Sequence, residues 1–191
     1  MTEIILFHHA QGRTPGIHRF ADTLRAAGHT VHTPDVFEGR TFATVDEGVA
    51  HAKELGFEEV FERGIRAGQA LPAEIVYAGF SLGAMPAEHL AINRPGARGA
   101  LLLEGCAPLE EFGGSWPAEV PVQIHGMDRD PWFADGGDLD AAKELVEAAA
   151  DGELFVYPGD QHLFSDTSLP SYRAQAAELL LQRVLECLAR V

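Results

Sequence analysis

One five-residue stretch constrains the fold of this chain more than any other: residues 79–83, with the sequence Gly-Phe-Ser-Leu-Gly. It follows the apolar run Ile75–Ala78 and precedes the helix-prone segment Ala84–Ala91, which predicts a strand, a sharp turn and a helix with Ser81 at the tip. A serine on so tight a turn adopts a strained backbone, and flanking glycines remove Cβ atoms that would clash. The helix directs free N–H groups at any anion formed there. The pattern indicates a nucleophile elbow; the alternative is an ordinary turn whose serine caps the helix.

Composition narrows the class of protein. The chain has 191 residues, which predicts a single domain over residues 1–191, and its net charge of −15 argues against nucleic acid or an anionic membrane surface as a partner. No apolar run reaches membrane-spanning length. The first strand follows Met1 almost directly, without a basic region or cleavage site, so we expect a cytoplasmic protein.

Apolar runs alternate with helical periodicity along the whole chain, which is typical of an α/β fold with a parallel sheet and helices on both faces. The predicted strands are Ile4–Phe7, Thr30–His32, Ile75–Ala78, Ala100–Leu103, Val120–Ile124 and Leu154–Tyr157. The predicted helices run from Ile17 up to Gly28, Val45 to Leu55, Glu58 to Ala70, Ala84 to about Asn93, Leu139 to Ala149, and Ser171 to Arg190. A central elbow strand implies about six strands in the order 2-1-3-4-5-6, with the site beyond their carboxyl ends.

A serine hydroxyl needs a base, and that base needs an acid to hold its tautomer. In an elbow architecture the chain order is serine, acid, histidine. Asp130 follows the fifth predicted strand and precedes a proline that locks the turn, so it is the first choice, with Asp128 as the runner-up. His162 follows the sixth strand on a short Gly-Pro loop. All three groups would then lie on one sheet edge.

Other residues have supporting roles in this hypothesis. The oxyanion of a tetrahedral intermediate needs two backbone N–H donors, for which we expect Leu82 and either Ala10 or Gln11. Phe37, Trp116, Trp132 and Phe133 are candidate walls of a small apolar acyl pocket, although core packing explains each of them equally well. His8 and His9 lack a partner at ligand spacing, so we expect neither a metal nor another cofactor.

These motifs resemble the dienelactone hydrolase family of α/β-hydrolases over nearly the whole chain. The resemblance rests on four segments: residues 79–84, 34–37, Asp130 with the apolar loop after it, and 159–164. It implies a minimal α/β-hydrolase fold without strands before Ile4. It also implies Ser81 as nucleophile, His162 as base, Asp130 as its orienting acid, and oxyanion amides from Leu82 and Ala10.

The chain departs from the pattern of that family at three positions. Dienelactone hydrolases proper have a cysteine where this chain has Ser81, a glutamate where it has His9, and a substrate-binding arginine where it has Asp166. Without that arginine, an anionic dienelactone is not the expected substrate. His9 and Gln11, on the oxyanion loop, are further candidate substrate contacts.

The sequence therefore predicts a serine hydrolase that cleaves a small carboxylic ester or lactone through an acyl-enzyme. A thioester or amide is an alternative substrate for the same triad. A catalytically silent α/β-hydrolase scaffold that binds a small molecule or a protein is the alternative from another class, and the unusual His9 would fit a repurposed site. The helices between residues 45 and 70 either cover the site or form a homodimer interface.

Overall fold

A computed structural model describes residues 1–191 and contains one six-stranded parallel sheet in the order β2-β1-β3-β4-β5-β6. The predicted α/β class and strand order are therefore confirmed. The strands are β1 (Glu3–Phe7), β2 (Thr30–His32), β3 (Val76–Phe80), β4 (Gly99–Leu103), β5 (Val122–Met127) and β6 (Gly152–Tyr157).

Six helices cover the sheet, and their bounds lie within a few residues of those expected from periodicity. They are α1 (Pro15–Ala26), α2 (Val45–Leu55), α3 (Phe57–Gln69), α4 (Ala84–Asn93), α5 (Asp138–Ala148) and α6 (Ala174–Leu188). Helices α1 and α6 pack on one face of the sheet, and α3, α4 and α5 pack on the other. Helix α2 packs against α3 through a smaller apolar cluster. No helix combines the length and the apolar character needed to cross a bilayer.

The burial of each strand follows from its place in the sheet. Every residue of β3 and β4 is buried, because helices cover both faces of these central strands. The edge strand β6 is mostly half-buried and ends at the buried Tyr157. The elbow therefore leaves the sheet from a fully buried central strand, at the edge where all six strands have their carboxyl ends.

The fifth strand differs from the sequence prediction. It begins at Val122 rather than Val120 and continues through His125 to Met127, which pairs with Tyr157. The prediction ends at Ile124 because the next residue, His125, is polar. In the structure His125 is fully buried, and both ring nitrogens are hydrogen-bonded, one to the Tyr157 hydroxyl at 2.8 Å and the other to Gln123 Oε1 at 2.9 Å. Burial lowers the pKa of His125 to about 3, so it is a neutral core histidine.

Candidate active site

The turn after β3 has the strained geometry that a nucleophile elbow requires. Ser81 lies at φ +48°, a left-handed conformation that non-glycine residues rarely adopt. A Cβ on Gly79 would lie 1.9 Å from the carbonyl oxygen of Gly83, and one on Gly83 would lie 2.7 Å from the carbonyl oxygens of Phe7 and His8. Only glycine fits either position, so the two glycines allow the tight turn and its close approach to β1.

Ser81, His162 and Asp130 form one hydrogen-bonded chain. Ser81 Oγ lies 2.8 Å from His162 Nε2, and His162 Nδ1 lies 2.7 Å from Asp130 Oδ2. Because the Asp130 carboxylate only accepts, the proton of the neutral ring is on Nδ1 and Nε2 is free to accept from the serine hydroxyl. The geometry is that of an activated serine with an oriented base.

The structure brings Asp130, and not Asp128, to the histidine. Asp130 is fully buried, and its second oxygen accepts a hydrogen bond from the Trp132 amide at 2.9 Å. Asp128 is half exposed and accepts from the Gly159 amide at 2.8 Å, which joins the two loops that follow β5 and β6. The three-residue turn from Met127 carries Asp130 beyond the end of the strand and over the sheet edge.

The loop after β1 presents one free amide beside the elbow. The Gln11 amide donates to His9 Nδ1 at 3.2 Å, whereas the Ala10 amide makes no hydrogen bond within the protein. The loop is held from outside by α2, where a Cβ on Gly48 would lie 1.8 Å from the Ala10 carbonyl oxygen. Of the two amides that the sequence offers, Ala10 is therefore the available donor. Helix α2 packs on this loop.

His9 does not face the site. Its ring is fully buried, and Nε2 donates to Asp166 Oδ2 at 2.9 Å, because Nδ1 is the acceptor for the Gln11 amide. Burial lowers the pKa of His9 and keeps it neutral. The prediction that His9 and Gln11 contact substrate is corrected here: both side chains are buried, and Gln11 Nε2 donates to the Phe42 carbonyl at 3.0 Å.

Asp166 connects the oxyanion loop with the loop that carries His162. Besides His9 it accepts hydrogen bonds from the Thr14 hydroxyl and, at 2.7 and 2.6 Å, from the Ser168 amide and hydroxyl. Burial alone would raise the pKa of Asp166, but these donors outweigh it and lower the pKa to about 2. Sequence reasoning noted His9 and Asp166 separately but missed their contact, since they are 157 positions apart.

A buried carboxylate that the sequence did not suggest holds the other side of that loop. Glu104 follows β4 at φ +60° and accepts from the Ser165 amide at 3.1 Å and from the Ser165 hydroxyl at 2.6 Å. Burial raises the pKa of Glu104 to about 7. No spacing rule could have found it, because a glutamate after an apolar strand usually faces solvent.

The four aromatic residues predicted as pocket walls have different surroundings. Trp132 lies beside the site, half exposed, with its ring 5.9 Å from that of His162. Trp116 and Phe133 belong to the core between the sheet and α3–α5, and Phe37 packs against His8. For these three the expectation of a pocket wall is corrected, because apolar burial explains them.

The cavity beside the elbow has other walls. It has a volume of about 420 Å³ and runs along the turn after Ser81, with Leu82, Gly83 and His8 on one side and residues of α3 on the other. Of the two helices between residues 45 and 70, α3 lines the cavity and α2 does not, and a homodimer interface at these helices stays a prediction.

The model of the dienelactone hydrolase family matches residues 1–191. Three similar solved structures share the fold with this chain. A dienelactone hydrolase from Anabaena variabilis is 20% identical (TM-score 0.66, covering 97% of this chain and 84% of that one). A thermophilic esterase from Thermogutta terrifontis with bound propionate is 18% identical (0.61, 99% and 83%). A dienelactone hydrolase-like promiscuous phosphotriesterase from metagenomic libraries is 15% identical (0.74, 100% and 86%). A search of curated proteins by sequence found no match.

Proposed function

The chain belongs to the dienelactone hydrolase family and is a carboxylic-ester hydrolase, and on that premise we propose that it cleaves a small ester or lactone through an acyl-enzyme on Ser81. The observation that carries the proposal is the continuous chain from Ser81 Oγ through the His162 ring to Asp130. A hydroxyl bonded to an oriented, neutral imidazole is the arrangement from which a serine alkoxide can attack.

The first half of the reaction forms the acyl-enzyme. His162 Nε2 takes the hydroxyl proton as Ser81 Oγ attacks the acyl carbon, and the carbonyl becomes a tetrahedral oxyanion. Asp130 stabilises the imidazolium that forms, and the same Nε2 then gives its proton to the leaving alkoxide as the bond to the acyl carbon breaks. In a lactone the departing hydroxyl stays attached to the acyl group.

The oxyanion would be stabilised by two backbone amides. The Leu82 amide follows the nucleophile, and the unbonded Ala10 amide lies on the loop after β1. The start of α4 adds the positive end of a helix dipole behind the same position. Loss of one such donor typically costs about a hundredfold in kcat.

Water completes the cycle. His162 takes a proton from a water molecule that attacks the acyl carbon, the second tetrahedral oxyanion collapses, and Ser81 leaves as its proton returns from the imidazolium. These steps need only protein side chains, backbone amides and water.

Hydrolysis of p-nitrophenyl acetate and butyrate by the wild type and by Ser81→Ala and His162→Ala tests the proposal. We expect each variant to lose activity by roughly a thousandfold or more while its circular dichroism is unchanged. Ser115→Ala and His18→Ala, at exposed positions, are the matched controls and should retain wild-type rates.

Labelling with an organophosphonate distinguishes the alternatives. An activated Ser81 should be modified stoichiometrically in the wild type and left unmodified in His162→Ala. A wild type that neither hydrolyses these esters nor reacts with the phosphonate would overturn the proposal and favour a silent scaffold that binds a small molecule or a protein.

A further inference from the structure

The size and the lining of the cavity beside the elbow indicate which acyl groups the enzyme accepts. We propose that this cavity binds the acyl group of the ester and selects an uncharged, apolar chain longer than acetyl. This inference rests on the proposed function, because it takes Ser81 as the atom to which the acyl group becomes attached. The volume of about 420 Å³ lies within the usual range for small-molecule sites.

The lining of the cavity is mostly apolar, and its polar side chains are those of His8, Glu58 and Glu111. Its buried part is formed by Phe7 from β1, Val60 from α3, and Pro86 from α4. Phe57, at the start of α3, is 49% exposed and lies at the opening. Burial of an apolar chain against these side chains is favourable by about 0.8 kcal/mol for each methylene removed from water, and the side chains of this buried part offer no hydrogen-bond partner to a polar chain.

The charges around the cavity exclude an anionic chain. Its only formally charged residues are Glu58 and Glu111, both exposed, and neither lysine nor arginine contributes to the lining. His8 also lines the cavity, but its ring is occupied within the protein: Nδ1 lies 2.8 Å from the His9 carbonyl oxygen, Nε2 lies 3.2 Å from the Val36 amide nitrogen, and the Asp35 carboxylate lies 3.7 Å from the same Nε2. A carboxylate there would be desolvated, without a cation to pair with it, and near two like charges.

The position of His162 decides which end of the ester enters the cavity. His162 must protonate the leaving oxygen, so the alcohol departs on the side of His162 and Trp132. Neither residue lines the cavity. Ser81 does not line it either, but Leu82 and Gly83, directly after the nucleophile, are part of its wall. The acyl chain, which points away from the leaving group, therefore continues into the cavity.

Two ester series test this assignment. In p-nitrophenyl esters from acetate through butyrate and hexanoate to octanoate, kcat/KM should rise by about fourfold per added methylene until the cavity is full. In acetates of alcohols of increasing length, kcat/KM should stay flat. A flat or falling acyl series, or a steep alcohol series with a flat acyl series, would overturn the assignment.

A matched pair of substrates tests the charge argument. The p-nitrophenyl ester of valerate and the p-nitrophenyl monoester of glutarate have the same chain length, but the second ends in a carboxylate. We expect the glutarate ester to react roughly a hundredfold more slowly in kcat/KM. Equal rates for the two esters would contradict the selection for an uncharged chain.

A variant that fills the cavity gives a third measurement. Met85→Trp adds volume from the first turn of α4 and should flatten the acyl series beyond butyrate. Leu179→Trp makes a comparable change on α6, on the opposite face of the sheet, and should leave the slope of the wild type. If both variants keep the slope of the wild type, the cavity is not the acyl site.

Stoichiometric phosphonate labelling separates this inference from the proposed function. Labelling of Ser81 together with a flat acyl series would retain the serine hydrolase and reject the acyl pocket. Absence of both labelling and hydrolysis would reject the function itself, and the pocket assignment with it.

Discussion

The protein contains two buried histidine–carboxylate pairs with nearly the same separation. His162 Nδ1 lies 2.7 Å from Asp130, and His9 Nε2 lies 2.9 Å from Asp166. The remaining nitrogen distinguishes them: on His162 it faces the hydroxyl of Ser81, and on His9 it accepts from the Gln11 amide. A histidine paired with an aspartate is therefore a candidate for acid–base catalysis at His162, whereas at His9 it holds the backbone of the loop after β1.

The surroundings of the two pairs explain this difference. The His162 ring borders the half-exposed Ser81 and Trp132, so a substrate can approach it. The ring of His9 is enclosed, and both of its nitrogens are hydrogen-bonded within the protein, so it holds one tautomer and has no nitrogen left to exchange a proton with a bound ester. A histidine beside a carboxylate indicates catalysis only when its second nitrogen reaches a reacting group.

The largest effect on kcat is expected from a substitution in the His162–Asp130 pair, which faces Ser81. Asp130→Asn replaces the acceptor with an amide that can donate to Nδ1, which moves the ring proton to Nε2 and blocks proton transfer from the serine. We expect a roughly ten-thousandfold loss of kcat on p-nitrophenyl butyrate. Asp128→Asn is the matched control, because Asp128 contacts the Gly159 amide and the Arg129 guanidinium and makes no bond to His162, and a large loss there instead would reverse the assignment.

A smaller effect is expected at the loop that His9 anchors. Gly48→Ala would push the Ala10 peptide away from α2, because the new Cβ would lie 1.8 Å from the Ala10 oxygen. We expect kcat to fall by about a hundredfold with a smaller change in KM, since only the transition state uses the oxyanion amide. Glu54→Ala, at an exposed position of the same helix, should have no effect. An unchanged kcat in folded Gly48→Ala would remove Ala10 from the oxyanion site.

Two variants of His9 separate the effect of its hydrogen bond to the Gln11 amide from that of its hydrogen bond to Asp166. His9→Ala removes one of the four hydrogen bonds to the buried Asp166 carboxylate and leaves the buried Gln11 amide without its partner, which should lower the free energy of unfolding by about 2 kcal/mol. His9→Asn keeps an oxygen that can accept from the Gln11 amide two residues on, but it does not reach Asp166. We expect His9→Asn to recover kcat relative to His9→Ala, while urea denaturation shows that it stays less stable than the wild type because the bond to Asp166 is lost. Equal kcat values in the two variants would mean that His9 does not position the loop.

The smallest effect is expected in the pH dependence of stability, from Glu104 and Asp166, the two carboxylates that are hydrogen-bonded to the loop carrying His162 or lie on it. Burial raises the pKa of Glu104 to about 7, so the native state keeps a proton that the unfolded chain releases near its ordinary pKa. Stability should therefore fall as the pH rises from about 4.5 to about 7. Glu104→Gln should flatten this dependence in urea denaturation and keep near wild-type activity at neutral pH, because its amide oxygen still accepts from Ser165. An unchanged pH profile would show that Glu104 does not titrate.

For Asp166 we expect the opposite dependence of stability on pH. Its native pKa of about 2 lies below the value in the unfolded chain, so its contribution is present at neutral pH and is lost as the pH falls from about 4 towards 2. Asp166→Asn should remove that acid-dependent loss and leave the Glu104 dependence intact. If Glu104→Gln and Asp166→Asn changed the free energy of unfolding over the same pH range, the two carboxylates would not contribute to stability independently.

The sequence alone determined the α/β class, the strand order, most element bounds and the three residues that the sheet edge brings together. Local periodicity and short-range turn chemistry encode these features, and parallel strands with right-handed crossovers leave few arrangements. The fifth strand was predicted at Val120–Ile124, two residues too early at its start and three at its end, because the partners that satisfy His125 inside the sheet, Gln123 and Tyr157, become neighbours only in the folded strands.

Only the tertiary structure decided which neighbours each side chain has. It paired His9 with Asp166 across 157 positions and buried Trp116 and Phe133 in the core. It also formed the cavity from β1, α3 and the elbow. The reason is physical: periodicity specifies which face of an element is apolar, whereas burial, hydrogen-bond partners and cavities depend on how separate elements pack, and no single segment contains that information.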